Sequence, residues 1–458
     1  MGTQELLAKE KISKLLLKYS VPAIIGMIVN ALYNVVDRIF IGNIPDVGSL
    51  AITGVGVTLP IITIILGFCM LIGVGATTNI SIKLGQGKRE EAEKVIGNSI
   101  TLSIIIAVVL TIIGIIFGEF ILTKFGASDS TLYYAKSYIY IILLGTVFNM
   151  VAFTLNNTIR GDGSPKFAAT IMIVGCLTNI VLDAVFIFVF NMGIQGAAIA
   201  TVTSQLITAL MAFRYYLSGN SNLRFVKSNL RLDKDIVLKI LAIGVAPFSM
   251  QIAASLVQVV ANNVLRTYGT DIAIGSMATI ASISLMCLMP IFGINQGAQP
   301  IIGFNYGAKQ EERAQEAYKL SLLVATIILI IAFILVQSFP EAIIGIFNKD
   351  PKFMEISIKG LRIYLLMLPI IGLPITGSNY IQSIGEAKTA MFLSLLRQVI
   401  LLVPFIIILP RIFGLGLNGV WIAQPLSDLI SSVITGVVII KSMKRKEDEP
   451  EIILKEAK

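Results

Sequence analysis

Apolar runs of about 20 residues follow one another along almost the whole chain, and a helix of that length crosses the ~30 Å hydrocarbon layer of a bilayer. The runs are continuous rather than alternating, so they read as spanning helices, whose backbone polar groups are satisfied within each segment. There are twelve, at approximately 15–41, 50–80, 95–118, 133–158, 167–190, 193–217, 237–266, 272–303, 316–339, 357–384, 388–410 and 416–441. Charged residues make up only 14% of the 458 positions, against about 25% in soluble domains. The sequence therefore predicts an all-α integral membrane protein.

Several function classes fall away at once. There is no histidine, which removes histidine-based triads, histidine-ligated metals and histidine proton relays. Cys69, Cys176 and Cys287 lie in apolar runs without ligand spacing, so neither a zinc site nor a disulfide framework is expected. The first apolar run follows Lys9, Lys11, Lys14 and Lys18 and lacks a small-residue cleavage site, so it is expected to stay as the first span. No cofactor and no nucleic-acid partner are expected; the partners implied are membrane lipid and small molecules, and a monomer suffices.

The net charge of +9 is topological. With the amino terminus inside and twelve spans alternating, inner segments collect 26 Lys and Arg, outer segments and helix ends nine, and Arg397 lies within a span. That bias follows the positive-inside rule and places both termini in the cytoplasm of a multi-pass protein of the cytoplasmic membrane.

Comparison of the chain with itself at an offset of about 222 residues gives matches in one order. "GATTNISIKLGQGKREEA" (75–92) lies over "GAQPIIGFNYGAKQEERA" (297–314), and "IRGDGSPKFA" (159–168) over "IQSIGEAKTA" (381–390). "GIQGAAIA" (193–200) lies over "GLNGVWIA" (416–423), one residue out of phase. The chain reads as two six-helix repeats around a central cavity: a first lobe over 1–217, a cytoplasmic linker over 218–235, a second lobe over 236–441 and a cytoplasmic tail over 442–458. An even number of spans makes the repeats parallel, related by an axis along the membrane normal. A two-lobed monomer with a cavity is a transporter architecture.

Ionisable residues inside a membrane are costly and point to function. At 1.5 Å per residue, Asp37 lies about 6 Å, Asp183 roughly 10 Å and Thr201 roughly 12 Å below the outer ends of their helices. Asn179 is one turn from Asp183 on the same face. Two carboxylates, an amide and a hydroxyl can thus meet in the outer third of the first lobe. These oxygens suit a small hard cation such as Na⁺. They equally suit protons, because neighbouring carboxylates titrate as a pair. Arg397 and Asp428 are the second lobe's intramembrane charges and are expected to form a structural ion pair.

The two repeats, "VVDRIFIG" in the first helix, "RGDGSPKFA" before the fifth, "NIVLD" within it and "GIQGAAIAT" opening the sixth resemble the multidrug and toxic compound extrusion (MATE) family. The resemblance spans essentially the whole chain and is nearest to the bacterial MepA-like branch. It implies antiport: drug efflux and antibiotic resistance driven by inward Na⁺ or H⁺. The family's ion site falls on Asp37, Asn179, Asp183 and Thr201, the set reached from depth, and its first-helix proline, associated with helix bending, falls on Pro22. Another branch carries acids in the seventh and tenth helices, where this chain has Gln251 and neutral residues near Asn379.

The leading expectation is therefore a cation-coupled exporter of amphipathic, often cationic drugs, not an enzyme. Tyr33, Asn34, Asn156 and Asn157 are candidates for the cavity wall, and Met286 and Met289 for an adaptable apolar surface. The alternative is a lipid-linked oligosaccharide flippase of similar plan, whose pyrophosphate cargo would call for several cavity-facing Arg or Lys.

Overall fold

The structure is a computed structural model that describes residues 3–456 except 46, 220, 269, 270 and 413. A short helix α1 (Thr3–Lys9) precedes α2 (Ile12–Gly42), α3 (Gly48–Gly85), α4 (Arg89–Lys124) and α5 (Asp129–Gly161). Helix α6 (Pro165–Ala184) continues through a π-helical turn, Val185–Val189, and α7 (Gly193–Leu217) closes the first set. The second set comprises α8 (Lys234–Tyr268), α9 (Asp271–Gly307), α10 (Glu311–Ser338), the short α11 (Pro340–Gly345), α12 (Pro351–Tyr364) and α13 (Gly372–Ser383). Then come α14 (Ala387–Leu395), a π-helical segment Leu396–Leu402, α15 (Val403–Ile408) and α16 (Leu417–Glu456).

Among the described residues eleven helices are long and apolar enough to span on their own, and α12 with α13, a pair bent by 48°, brings the number to twelve when taken as one span. The sequence predicts one run there, at 357–384. Its break falls in "LPIIGLP", where Pro369 and Pro374 each remove an N–H from the ladder and Gly372 lies between them. Pro22 also lacks that donor, yet α2 passes through it without interruption.

Twelve passes put α1 and the C-terminal end of α16 on one face of the bundle, called here the terminal face. The two sets of helices meet along three seams, α2 against α9, α3 against α8, and α3 against α9. Named contacts across them lie in the half next to the terminal face. A methyl group on Gly85 would collide with the Phe304 carbonyl, and one on Gly307 with the Ile82 carbonyl. Residues 82 and 304, like 85 and 307, are 222 apart, so these are one contact made twice by the repeat.

The cores report the same shape. One apolar cluster runs through the first set and on to Ile240, Ala298, Ile302 and Phe304 near the terminal face. A second, centred on Ile280, Leu361 and Trp421, has all its buried members in the second set, with Ile24 of α2 packed against it. On α2, Leu15, Leu16, Tyr19, Ser20, Ala23 and Gly26 are buried, and no residue from Met27 to Phe40 is. The seams close at the terminal face and part toward the opposite, far face.

The segment read as a linker is docked. Asn98 donates its amide to the Asn229 and Arg231 carbonyls (3.2 and 3.3 Å) and accepts from the Asp233 N–H (2.7 Å). The Asp162 carboxylate accepts from the backbone N–H groups of Asn222 and Leu223, each at 3.0 Å, and from the Tyr215 hydroxyl at 2.6 Å. Asp233 then accepts from the Asp235 N–H (2.9 Å), opening α8.

Candidate functional site

Three helices of the first set carry the polar cluster. Asp37 stands on α2, Asn179 and Asp183 on α6, and Thr201 on α7. Asp183 and Asn179 are fully buried, Thr201 is buried, and Asp37 is half-buried. The Asp37 and Asp183 carboxyl groups face one another at hydrogen-bonding range. The Asn179 amide is assigned so that its nitrogen donates to Asp183 Oδ2 (3.0 Å) and its oxygen accepts from the Thr201 N–H (3.3 Å). The reversed amide would instead donate to Thr201 Oγ1 at 3.3 Å, leaving Asp183 without that donor.

One oxygen on each acid, Asp37 Oδ1 and Asp183 Oδ1, is buried with no protein hydrogen-bond partner. An unsatisfied buried carboxylate oxygen is costly, and each such atom in a native structure calls for an explanation such as a bound ion. The two unpartnered carboxylate oxygens fit a proton or a small hard cation. Among the described residues no group of three or more His, Cys, Asp or Glu is clustered to hold a metal ion.

Two tyrosines complete the cluster. Tyr33, one turn before Asp37, and Tyr138 on α5 both lie in the field of the two acids, and the Tyr138 phenol approaches Thr201. Sequence reasoning misses Tyr138, because nothing ranks it above the other tyrosines of the chain. The signal that could have found it is depth. It lies nine residues into α5, about 13 Å along the helix, close to the depth reckoned for Thr201.

The other candidate wall residues separate. Asn34 is exposed and donates to the Asn30 carbonyl (2.7 Å). Met286 is exposed at 66% and Met289 is half-buried, both on α9. Asn156 and Asn157 lie in the last turns of α5, buried and already hydrogen-bonded. Asn156 donates to the Ala168 carbonyl (2.7 Å), Asn157 to the Phe153 carbonyl (2.9 Å), and both accept from Arg160. They therefore face a packed polar knot rather than an open wall. Arg160, counted from sequence among the charges of the inner segments, is itself buried.

In the second set, Arg397 Nη1 donates to Asp428 Oδ1 at 3.2 Å, and Gln424 donates to both Asp428 oxygens at 3.1 Å. Arg397 sits in the π-helical segment Leu396–Leu402.

Two sets of six spans around a cleft, with a buried carboxylate pair in one of them, define a membrane transporter. The MatE family model matches the chain twice, over residues 22–185 and 246–408, and the chain belongs to that family. It is 26% identical over 407 residues to the multidrug export protein MepA of Staphylococcus saprophyticus subsp. saprophyticus, covering 89% of each chain. With a MepA of Staphylococcus aureus it shares 27% identity over 433 residues, 93% of this chain and 94% of the relative. Among solved structures, a ligand complex of the MATE multidrug transporter DinF-BH is 39% identical, with a TM-score of 0.87 over 93% of this chain and 95% of that one. A MATE structure in a bent conformation reaches a TM-score of 0.92 at 24% identity, covering 98% and 99%, and speaks to the fold.

Proposed function

We propose that this chain is a cation-coupled antiporter, using Na⁺ or H⁺ to export amphipathic, often cationic drugs across the cytoplasmic membrane. Family membership and relatives named as multidrug exporters support the class of cargo. The observation that carries the coupling reading is the facing pair Asp37 and Asp183, each with a buried unpartnered oxygen. Two carboxylates at that range repel unless a proton or cation lies between them. Ion occupancy therefore changes how tightly α2 is drawn to α6. Asn179 and Thr201 fix the Asp183 side of the site, and Tyr138 screens it.

The charge bias supports placing the terminal face in the cytoplasm, so that the cleft opens outward in this conformation. The two lobes, 1–217 and 236–441, would then alternate access about the seams. An ion acts on that equilibrium only by binding the two conformations unequally. The docked segment 218–233 moves with the first lobe in this reading, and the tail 442–458 is cytoplasmic.

Drug uptake into inverted membrane vesicles under an imposed pH or Na⁺ gradient tests the proposal. Uptake should follow one of the two gradients, and uptake indifferent to both would remove antiport.

A further inference from the structure

Arg160 is a buried cation whose named partners are all amide oxygens. Its guanidinium donates to Asn156 Oδ1 (2.6 Å) and, at 3.5 Å, to Asn157 Oδ1, both on its own helix α5. Its third bond, to Gln296 Oε1 at 2.6 Å, crosses to α9 in the second set. The Gln296 nitrogen lies 3.5 Å from Met27 Sδ on α2. Next to it the seam is close-packed, since a methyl group on Gly297 would come within 2.6 Å of the Ser20 nitrogen.

A guanidinium out of water depends on charge-assisted hydrogen bonds, which are about twice as strong as neutral ones. Two of the three survive any movement of the lobes because they are local to α5. The Gln296 bond exists only while the seam is shut. It therefore contributes to one conformation and not to the other, which is what shifts a two-state equilibrium.

The repeat supplies an internal comparison. At the 222-residue offset, Arg160 corresponds to Gln382 and Gln296 to Val74. That counterpart pairs an amide with an aliphatic side chain, and Gln382 Nε2 is buried without a partner. The bond is made once rather than twice.

We propose that Arg160 is the inner-gate residue of the transport cycle, its bond to Gln296 holding the cytoplasmic seam shut while the cleft faces outward. The proposal rests on the alternating-access reading above. It assigns Arg160 a positioning role, with Gln296 as the movable half of the latch.

The test uses spin labels at Gln86→Cys and Glu312→Cys, at the seam-side ends of α3 and α10, with the native cysteines replaced and the protein in nanodiscs. Their distance distribution reports the seam directly. Gln296→Ala should move the closed-to-open ratio toward open by about tenfold, the scale of one hydrogen bond to a charged group. Gln296→Glu turns the latch into an ion pair and should move the ratio the other way while slowing efflux. Gln296 is only half-buried, so both variants are expected to fold. Two populations that ignore both substitutions, or respond to both in the same direction, would overturn the latch and leave alternating access standing. A single distance under all conditions would overturn alternating access and the latch together.

Discussion

Gly85 lies against the Phe304 carbonyl as Gly307 lies against the Ile82 carbonyl, and the two contacts exchange under the 222-residue repeat. Each helix end is pressed on the backbone of its counterpart with no room for a side chain. The seam is thus closed by main chain, which cannot swing aside as a flexible side chain would. Overpacking of this kind costs about 1–3 kcal/mol. Gly85→Ala and Gly307→Ala should therefore lower the melting temperature in detergent by similar amounts. Gly56→Ala, with nothing within 4 Å, should change it little. A large difference between the two seam variants would show that the contacts are not equivalent.

The Arg397–Asp428 bond gives a second prediction. Removing either partner leaves the other charge buried, which costs about 3–5 kcal/mol for a buried pair. Arg397→Met and Asp428→Asn should each destabilise strongly, and the double variant should lose less than the sum. Strictly additive losses in a double-mutant cycle on thermal stability would mean that the two side chains act independently.

Asp162 sits between spans, and its burial pushes the carboxyl up to about 7, although Tyr215 and the Asn222 and Leu223 N–H groups pull it down. A carboxyl raised on folding contributes stability below its unfolded value of about 3.9, and loses it as pH rises through the folded value. The window is therefore roughly pH 4 to 7. Asp162→Asn keeps the shape and removes the titration. Between pH 5 and pH 8 the wild type should lose melting temperature relative to Asp162→Asn. A constant gap between the two across that range would contradict this.

The charge bias predicts a membrane orientation that thiol labelling checks. Single cysteines at Asn222 or in 86–90, in a Cys-free background, should resist impermeant thiol reagents applied to intact cells. Ready labelling at Asn222 would invert the assignment.

Much of this was legible in the chain because hydrocarbon imposes so few solutions. Span number followed from run length, and the proximity of Asp37, Asn179, Asp183 and Thr201 followed from depth, since helices that alternate direction bring residues of like depth to one level. What stayed hidden depends on lateral packing. Tyr138 has the right depth, but nothing in its sequence neighbourhood says which face of α5 it occupies. Arg160 follows the same inside bias as solvated lysines, and only the seam shows it to be buried. The break between α12 and α13 was written in Pro369 and Pro374, whereas Pro22, the same residue type, leaves α2 unbroken. Proline marks where a helix can yield, and neighbours decide whether it does.

The central claim is that Asp37 and Asp183 titrate or bind a cation as one unit and that this drives export. The direct measurement is gradient-driven drug transport in vesicles, paired with equilibrium drug binding to the purified protein, for Asp37→Asn, Asp183→Asn and the double variant. Each single variant should abolish gradient-driven transport while drug binding persists on the apolar walls. The double variant should be little worse than either single, as for residues that work as a unit. Normal transport by both single variants at normal expression would contradict the account and place the coupling site elsewhere.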